Sequence, residues 1–243
     1  MISVGFKTDR GMLRRSNEDS VFVLPKHQLY IVADGVGGHN SGEVASRMAV
    51  ETIAEYAQNN PPESVKGDKA LKKYFEECMT LANSRIYSEA QKPGRRYGMA
   101  TTCVLLYIRE DIAFVVNIGD SRCYLIRDAV MRQISQDHSV VMELVRSGVL
   151  SEEDAKTSPD RNQITRALGG EEKAQPDFFS FKLYPADTVL LCSDGLYSEV
   201  EEDRMADLCS RYKTMHRLTK QLVDEANKNG GKDNISVVCV RIS

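Results

Sequence analysis

Apolar residues along this chain fall in short runs and alternations more often than in long helical stripes. Residues 2–8 alternate loosely, and 21–24 (Val-Phe-Val-Leu) start a second strand after the polar turn 11–20. A tight link at 25–28 leads into 29–33 (Leu-Tyr-Ile-Val-Ala), apolar at every position, which predicts a buried strand ending at Asp34. Glycines 35, 37 and 38 follow. A helix capped by Ser41 or Asn40 is expected to about 57, with Val44, Ala45, Met48 and Ile53 on its apolar face. A second, about 66–91, stacks Leu71, Phe75, Cys78, Ala82 and Ile86 and stops at Pro93-Gly94. Strands are expected at 99–108, 113–118 and 122–127, joined by hairpin-length links. The segment 138–156 reads as a helical pair broken at Gly148, and 157–170 as irregular, with Gly169-Gly170 as a hinge. Strands 178–183 and 188–193, helices 202–211 and 215–228, and a closing strand 235–242 complete the pattern.

Strands that follow one another in runs argue for antiparallel sheets rather than βαβ units. Stretches such as 29–33 and 189–192 are apolar on both faces, so both faces need cover. Two packed sheets with helices outside satisfy this: an α+β fold, a four-layer α-β-β-α sandwich. No repeat or linker divides it, which predicts a single domain over 1–243.

Composition narrows the function. Hydrophobic residues make up 42% and charged residues 28%, an ordinary globular balance. The net charge of -3 gives no case for nucleic acid or an anionic membrane as the main partner. No run approaches the roughly 18 apolar residues of a membrane span, and the N-terminus lacks the pattern of a signal peptide. Six scattered cysteines never form a C-x-x-C pair, so they read as reduced core thiols of a cytoplasmic protein rather than a zinc site. His27 and His216 read as surface residues, and His138 as the start of a helix.

The distinctive chemistry is acidic. Glu18-Asp19, Asp34-Gly35, Gly119-Asp120, Asp194-Gly195 and Asp233-Asn234 put carboxylates at strand ends or in glycine loops. Each alone reads more readily as a turn residue or helix cap than as a ligand. Together, four or more carboxylates converging in a small volume could not all stay ionised without a cation. An all-oxygen donor set selects magnesium or manganese, and two such ions about 3.5–4 Å apart can activate water for attack on phosphorus. A cysteine phosphatase is excluded for want of a Cys-x5-Arg cradle: only Cys103 has an arginine at that gap, Arg109, and both lie in an apolar strand.

The motifs Arg14-Arg-Ser-Asn-Glu-Asp19, Val32-Ala-Asp-Gly-Val-Gly-Gly-His39, Gly98-Met-Ala-Thr-Thr102, Asn117-Ile-Gly-Asp-Ser-Arg122, Arg161-Asn-Gln-Ile-Thr-Arg-Ala-Leu-Gly169, Cys192-Ser-Asp-Gly195 and Gly231-Lys-Asp-Asn-Ile-Ser236 occur in that order. In this the chain resembles the metal-dependent serine/threonine protein phosphatases, also called protein phosphatase type 2C, most of all their small bacterial branch. The resemblance implies hydrolysis of phosphoserine and phosphothreonine by a metal-bridging hydroxide, with two manganese or magnesium ions and a third, looser one. It implies that Asp34 bridges two ions, that the Gly35 carbonyl and, directly or through water, Glu18 bind one, and that Asp194 and Asp233 hold the other. Asp19 would act through water, Asp120 would share the third ion with Asp194, and Asn234 would support Asp233. Arg14 would clamp the phosphate, its planar fork suiting a dianion better than a lysine; Arg15 reads as surface. Expected partners are proteins phosphorylated by a bacterial serine/threonine kinase, and that kinase, with the phosphatase a monomer. Animal members carry a histidine after the Asp-Gly pair as general acid; here it is Val36, and His39 is expected to orient the loop. The segment 138–170 aligns with the mobile flap of bacterial members, with Ser158 where a histidine is common. Two alternatives remain: a phosphoprotein-binding module of the same fold, which would have lost a metal acid, and another two-metal phosphoesterase.

Overall fold

Residues 2–37, 41–93 and 97–243 are described in the computed structural model of the chain, the side chain of Lys156 excepted. Side-chain alternation along the strands decides which layer each residue enters. In β3 (Leu29–Val36), Leu29, Ile31 and Ala33 face outward onto α1 (Ser41–Asn59) and α2 (Asp68–Ala90), where they meet Ala45, Ile53, Phe75 and Met79. Tyr30 and Val32 face inward and pack on Val189, Leu191, Val238 and Val240 of the opposite sheet. That is why a run apolar at every position is needed there.

One sheet has the order β1 (Ile2–Asp9), β11 (Ile235–Ile242), β10 (Thr188–Cys192), β7 (Arg122–Arg127) and β8 (Val130–Gln133). The other runs β2 (Asp19–Leu24), β3, β5 (Cys103–Arg109), β6 (Ile112–Ile118) and β9 (Asp177–Lys182), with β4 (Ala100–Thr101) on β3. All pairings are antiparallel. Outside the first sheet, α6 (Glu202–Arg211) and α7 (Met215–Lys228) bury Met205, Leu208, Leu218 and Leu222 against Leu190, Val237 and Cys239. The result is the expected α-β-β-α sandwich, with three apolar layers. All six cysteines are free and buried.

Several boundaries differ from the sequence expectation. β3 does not end at Asp34: Gly35 and Val36 stay in the ladder, opposite Thr101 and Ala100. The strand expected at 99–108 is broken at Thr102, whose Oγ1 accepts the Asp34 N–H at 2.9 Å in place of a ladder bond. The edge strand β8 and the one-turn α5 (Asp194–Tyr197) went unforeseen. His27 is buried rather than at the surface, its Nδ1 2.9 Å from Glu63 Oε1. The 138–156 segment does hold two short helices, α3 (Val140–Arg146) and α4 (Glu152–Thr157), and Ser139, not His138, caps the first. The expected hinge at Gly169 is pinned: its N–H donates to Asn83 Oδ1 at 2.8 Å, and Leu168 pairs with Thr101. Gly38, His39, Asn40 and Gly94 lie outside the described residues, and with them the expected roles of His39 and Asn40.

Candidate active site

Three features of the topology bring the acids to one end of the sandwich. The loop from β1 to β2 crosses from one sheet to the other and carries Arg14 and Glu18. The turn from β6 to β7 crosses back the other way and carries Asp120. β10 and β11 are antiparallel neighbours, so Asp194, just past the end of one, stands beside Asp233, just before the start of the other. In the second sheet Asp19 and Asp34 are direct cross-strand partners. Like charges opposite one another destabilise a sheet, so this pairing points to a counter-charge.

Arg14, Glu18, Asp34, Asp120, Asp194 and Asp233 line a cleft of about 560 Å³, whereas Asp19 is buried and is not part of its lining. Asp34 and Asp194 stand close enough for each to alter the other's ionisation. Burial is the main cause that raises four carboxyls above their ordinary range. Asp34 rises well above it, with Asp19 and Asp194 adding repulsion. Asp19 is pushed up to about 7, despite the hydroxyls of Ser236 and Ser193, and Asp120 to about 8, with Asp194 the next cause. Asp194 rises to about 6, with Asp233 the next cause. Asp19 Oδ1 and Asp194 Oδ1 are buried without a hydrogen-bond partner. Among the described residues no three acids close into a ready-made ion cage. They ring a cleft instead, and this oxygen-only set with orphaned buried atoms fits hard divalent cations.

Gly35 shows why no side chain is tolerated beside Asp34. A Cβ there would stand 2.1 Å from the Gly42 carbonyl oxygen at the start of α1 and 2.6 Å from the Glu18 carbonyl oxygen. Glu18 is placed through its backbone, its N–H donating to Asn234 Oδ1 at 2.7 Å. This refines the part expected of Asn234. Its side chain braces the Arg14–Glu18 loop, also donating to the carbonyls of Arg10 and Ser16, and it meets the Asp233 carboxylate only through its backbone N–H. The Asp19 carboxylate accepts from Ser193 Oγ at 2.7 Å. Arg14 is half exposed at the rim, with Nη2 2.5 Å from Asp233 Oδ2. Arg15 is exposed, as expected, yet it also borders the cleft.

Sequence reasoning gave no role to Thr102, Asn162 or Ile164. Thr102 Oγ1 takes the Asp34 N–H and shares a 2.7 Å hydrogen bond with Ser121 Oγ, so one hydroxyl spaces Asp34 from the Asp120 turn. Asn162 and Ile164 reach the cleft wall from the 138–170 segment, and exposed Val36 also lines it. The repeated threonine of Gly98-Met-Ala-Thr-Thr102 was the available signal.

A family model described as Protein phosphatase 2C matches residues 14–235. The chain therefore belongs to the protein phosphatase 2C family, the metal-dependent serine/threonine protein phosphatases. It is 37% identical over 238 residues to serine/threonine phosphatase stp of Listeria innocua, covering 97% of this chain and 94% of that protein. The crystal structure of serine/threonine phosphatase Stp1 from Staphylococcus aureus matches with a TM-score of 0.91 at 32% identity, over 100% of this chain and 96% of that one. The catalytic domain of the serine/threonine protein phosphatase PstP, solved in complex with two manganese ions, matches with a TM-score of 0.87 at 31% identity, over 100% and 99% of the two chains.

Proposed function

We propose that this cleft hydrolyses phosphoserine and phosphothreonine in proteins with two divalent ions, manganese or magnesium, and a third, looser one. The observation that carries the reading is the convergence of buried, mutually repelling carboxylates beside an arginine at the rim. Asp34 would lie between two ions, with Glu18 and the Gly35 carbonyl on one and Asp194 and Asp233 on the other. Asp120, with Asp194, would take the third ion, and Asp19 would contribute through water. When bound, the ions supply the charge that keeps these acids ionised and activate water for in-line attack on phosphorus.

The remaining steps belong to the chain itself. Arg14 stands where a phosphate dianion enters, and its fork can hold two phosphate oxygens at once. Its present partner, Asp233, is also a metal acid, so a cation at Asp233 would free the guanidinium for substrate. Val36 can supply no proton to the leaving alcohol, so a water held at the metal acids would have to supply it. Ile164 and Val36 offer apolar wall to residues beside the phosphorylated one.

We place the whole of 1–243 in one catalytic domain, with 138–170 as a flap over the cleft. Its substrates are the products of a bacterial serine/threonine kinase, and the kinase itself, met in the cytoplasm by a monomeric phosphatase. Among the described residues no helix is long and apolar enough to cross a membrane. The test is phosphate release from a phosphothreonine peptide at saturating manganese, with Asp34→Asn and Asp194→Asn as controls. Wild type is expected to be active and both variants silent. An inactive wild type would sink the phosphatase reading; active variants would sink the metal assignment.

A further inference from the structure

His138 takes no part in the chemistry above, yet it is wholly buried (0% exposed) at the root of the 138–170 segment. Both its backbone and its ring engage Gly119. The His138 N–H donates to the Gly119 carbonyl at 3.0 Å, and the Gly119 N–H donates to His138 Nδ1 at 3.1 Å. A backbone N–H can only donate, so Nδ1 must be bare and the ring proton sits on Nε2. Nε2 then donates to Asp177 Oδ2, 3.2 Å away. Arg166 lies 3.3 Å from Nε2, which has no lone pair to offer it, and equally 3.3 Å from Asp177 Oδ1, which has. Its partner is therefore Asp177.

What His138 grips is the residue before Asp120. Gly119 has φ +102°, a conformation that side chains rarely adopt, and a Cβ there would meet Thr102 Cβ and Cγ2 at 2.6 Å. The turn is thus held between Thr102 on one side and the imidazole on the other. Just beyond it, the Tyr197 hydroxyl donates to the Asp120 carbonyl at 3.0 Å. The same histidine also ties the segment's two ends together. Its carbonyl accepts from Thr165 N–H at 2.8 Å, and the next residue, Ser139, pairs with Ile164, which lines the cleft.

We propose that His138 is a positioning residue: its bare Nδ1, by holding the Gly119 amide, sets where the Asp120 carboxylate stands in the cleft. The bond also links the cleft wall at Ile164 to that carboxylate through one side chain. The proposal rests on the reading of Asp120 as a metal acid given above.

Two conservative substitutions separate the ring's two nitrogens. In His138→Asn the amide oxygen stands where Nδ1 stood and can accept from Gly119. In His138→Gln the amide group reaches the Nε2 position, toward Asp177, and leaves the Gly119 N–H unpartnered. Manganese binding to the full chain is followed by titration calorimetry, with melting in chelator run alongside as a check on folding. His138→Gln is expected to weaken the loosest manganese site about 10- to 100-fold, the usual cost of disturbing a metal's supporting groups, and Asp120→Asn to weaken it at least as much. His138→Asn and Asp177→Asn, which leave the Gly119 contact in place, should stay within about twofold of wild type. In the double variant, His138→Gln should add nothing to Asp120→Asn. If the Asn and Gln variants bind manganese alike, or if Asp177→Asn matches the loss of Asp120→Asn, the proposal is overturned and Asp120 keeps its assignment. If Asp120→Asn binds manganese like wild type, the assignment of Asp120 falls, and the proposal with it.

Discussion

Replacing Asp194 by asparagine should stabilise the metal-free protein while removing its activity. Asp194 is buried among other acids, and its carboxyl is raised from 3.8 to about 6, first by burial and next by Asp233. A carboxyl raised in this way binds its proton more tightly in the folded chain than in the unfolded one. Its favourable share is therefore complete below about pH 4 and lost as pH rises through about 6. About two pKa units at ~1.4 kcal/mol each make the ionised group cost roughly 3 kcal/mol above that pH. For a chain of this size, each kcal/mol is worth about 2–4 °C in Tm, so Asp194→Asn should melt roughly 6–12 °C above wild type at pH 8 in chelator. At pH 4.5 the gap should shrink to about a third, roughly 2–4 °C, because the folded chain is then largely protonated at this site while the unfolded chain is still largely ionised. Saturating manganese at pH 8 should invert the order, since only wild type keeps the full acid set. The assay is differential scanning fluorimetry at both pH values, with chelator and with manganese. A variant that melts at or below wild type in chelator at pH 8, or gains equally at pH 4.5, would refute the claim that charge burial at this site is what the metal relieves.

Three further outcomes follow from contacts around the same cleft. Arg14→Ala should raise KM for a phosphopeptide by roughly 10- to 100-fold, the loss of a charged hydrogen-bonding partner, with a smaller change in kcat, and Arg14→Lys should recover only part; an unchanged KM removes Arg14 from substrate binding. Gly35→Ala forces a methyl to within 2.1 Å of the Gly42 carbonyl oxygen, so it should cost about 1–3 kcal/mol on thermal melting and lower manganese-dependent turnover. Equal stability would mean that α1 moves aside freely. Thr102→Val leaves the Asp34 N–H without its partner at nearly constant volume, costing about 1–3 kcal/mol, whereas Thr102→Ser keeps the hydroxyl and should recover most of it on chemical denaturation.

The layers were legible in the sequence because burial on both faces leaves its mark in composition. Leu29 to Ala33 could only be covered twice, and Leu71, Phe75, Cys78, Ala82 and Ile86 recur at helical spacing along one face. The acids were legible as a set because glycines beside carboxylates at strand ends are rarely a solvated surface. Elements too short or too polar for periodicity escaped. α5 is four residues long, and β8 is an edge strand with Val130 exposed. Partners distant in sequence escaped too. His27 looked like a surface residue because nothing near it announces Glu63. Asn234 looked like a neighbour of Asp233, while its side chain reaches across to Glu18, Arg10 and Ser16. The break at Thr102 was hidden because a hydroxyl there replaces a backbone bond, a substitution that apolar patterning cannot register.

The buried thiols have a consequence for how this protein meets oxidants. Oxidation requires an accessible thiolate. Burial pushes Cys78 up to about 12 and raises Cys103, Cys123, Cys192 and Cys239 further still. Cys209, at about 12, is equally closed. No thiol takes part in the proposed hydrolysis, and none of the six is accessible for oxidation. Peroxide that silences phosphatases built on a nucleophilic cysteine would leave this one running. A cell under oxidative stress would thus keep removing phosphate from serine and threonine while thiol-based dephosphorylation stops.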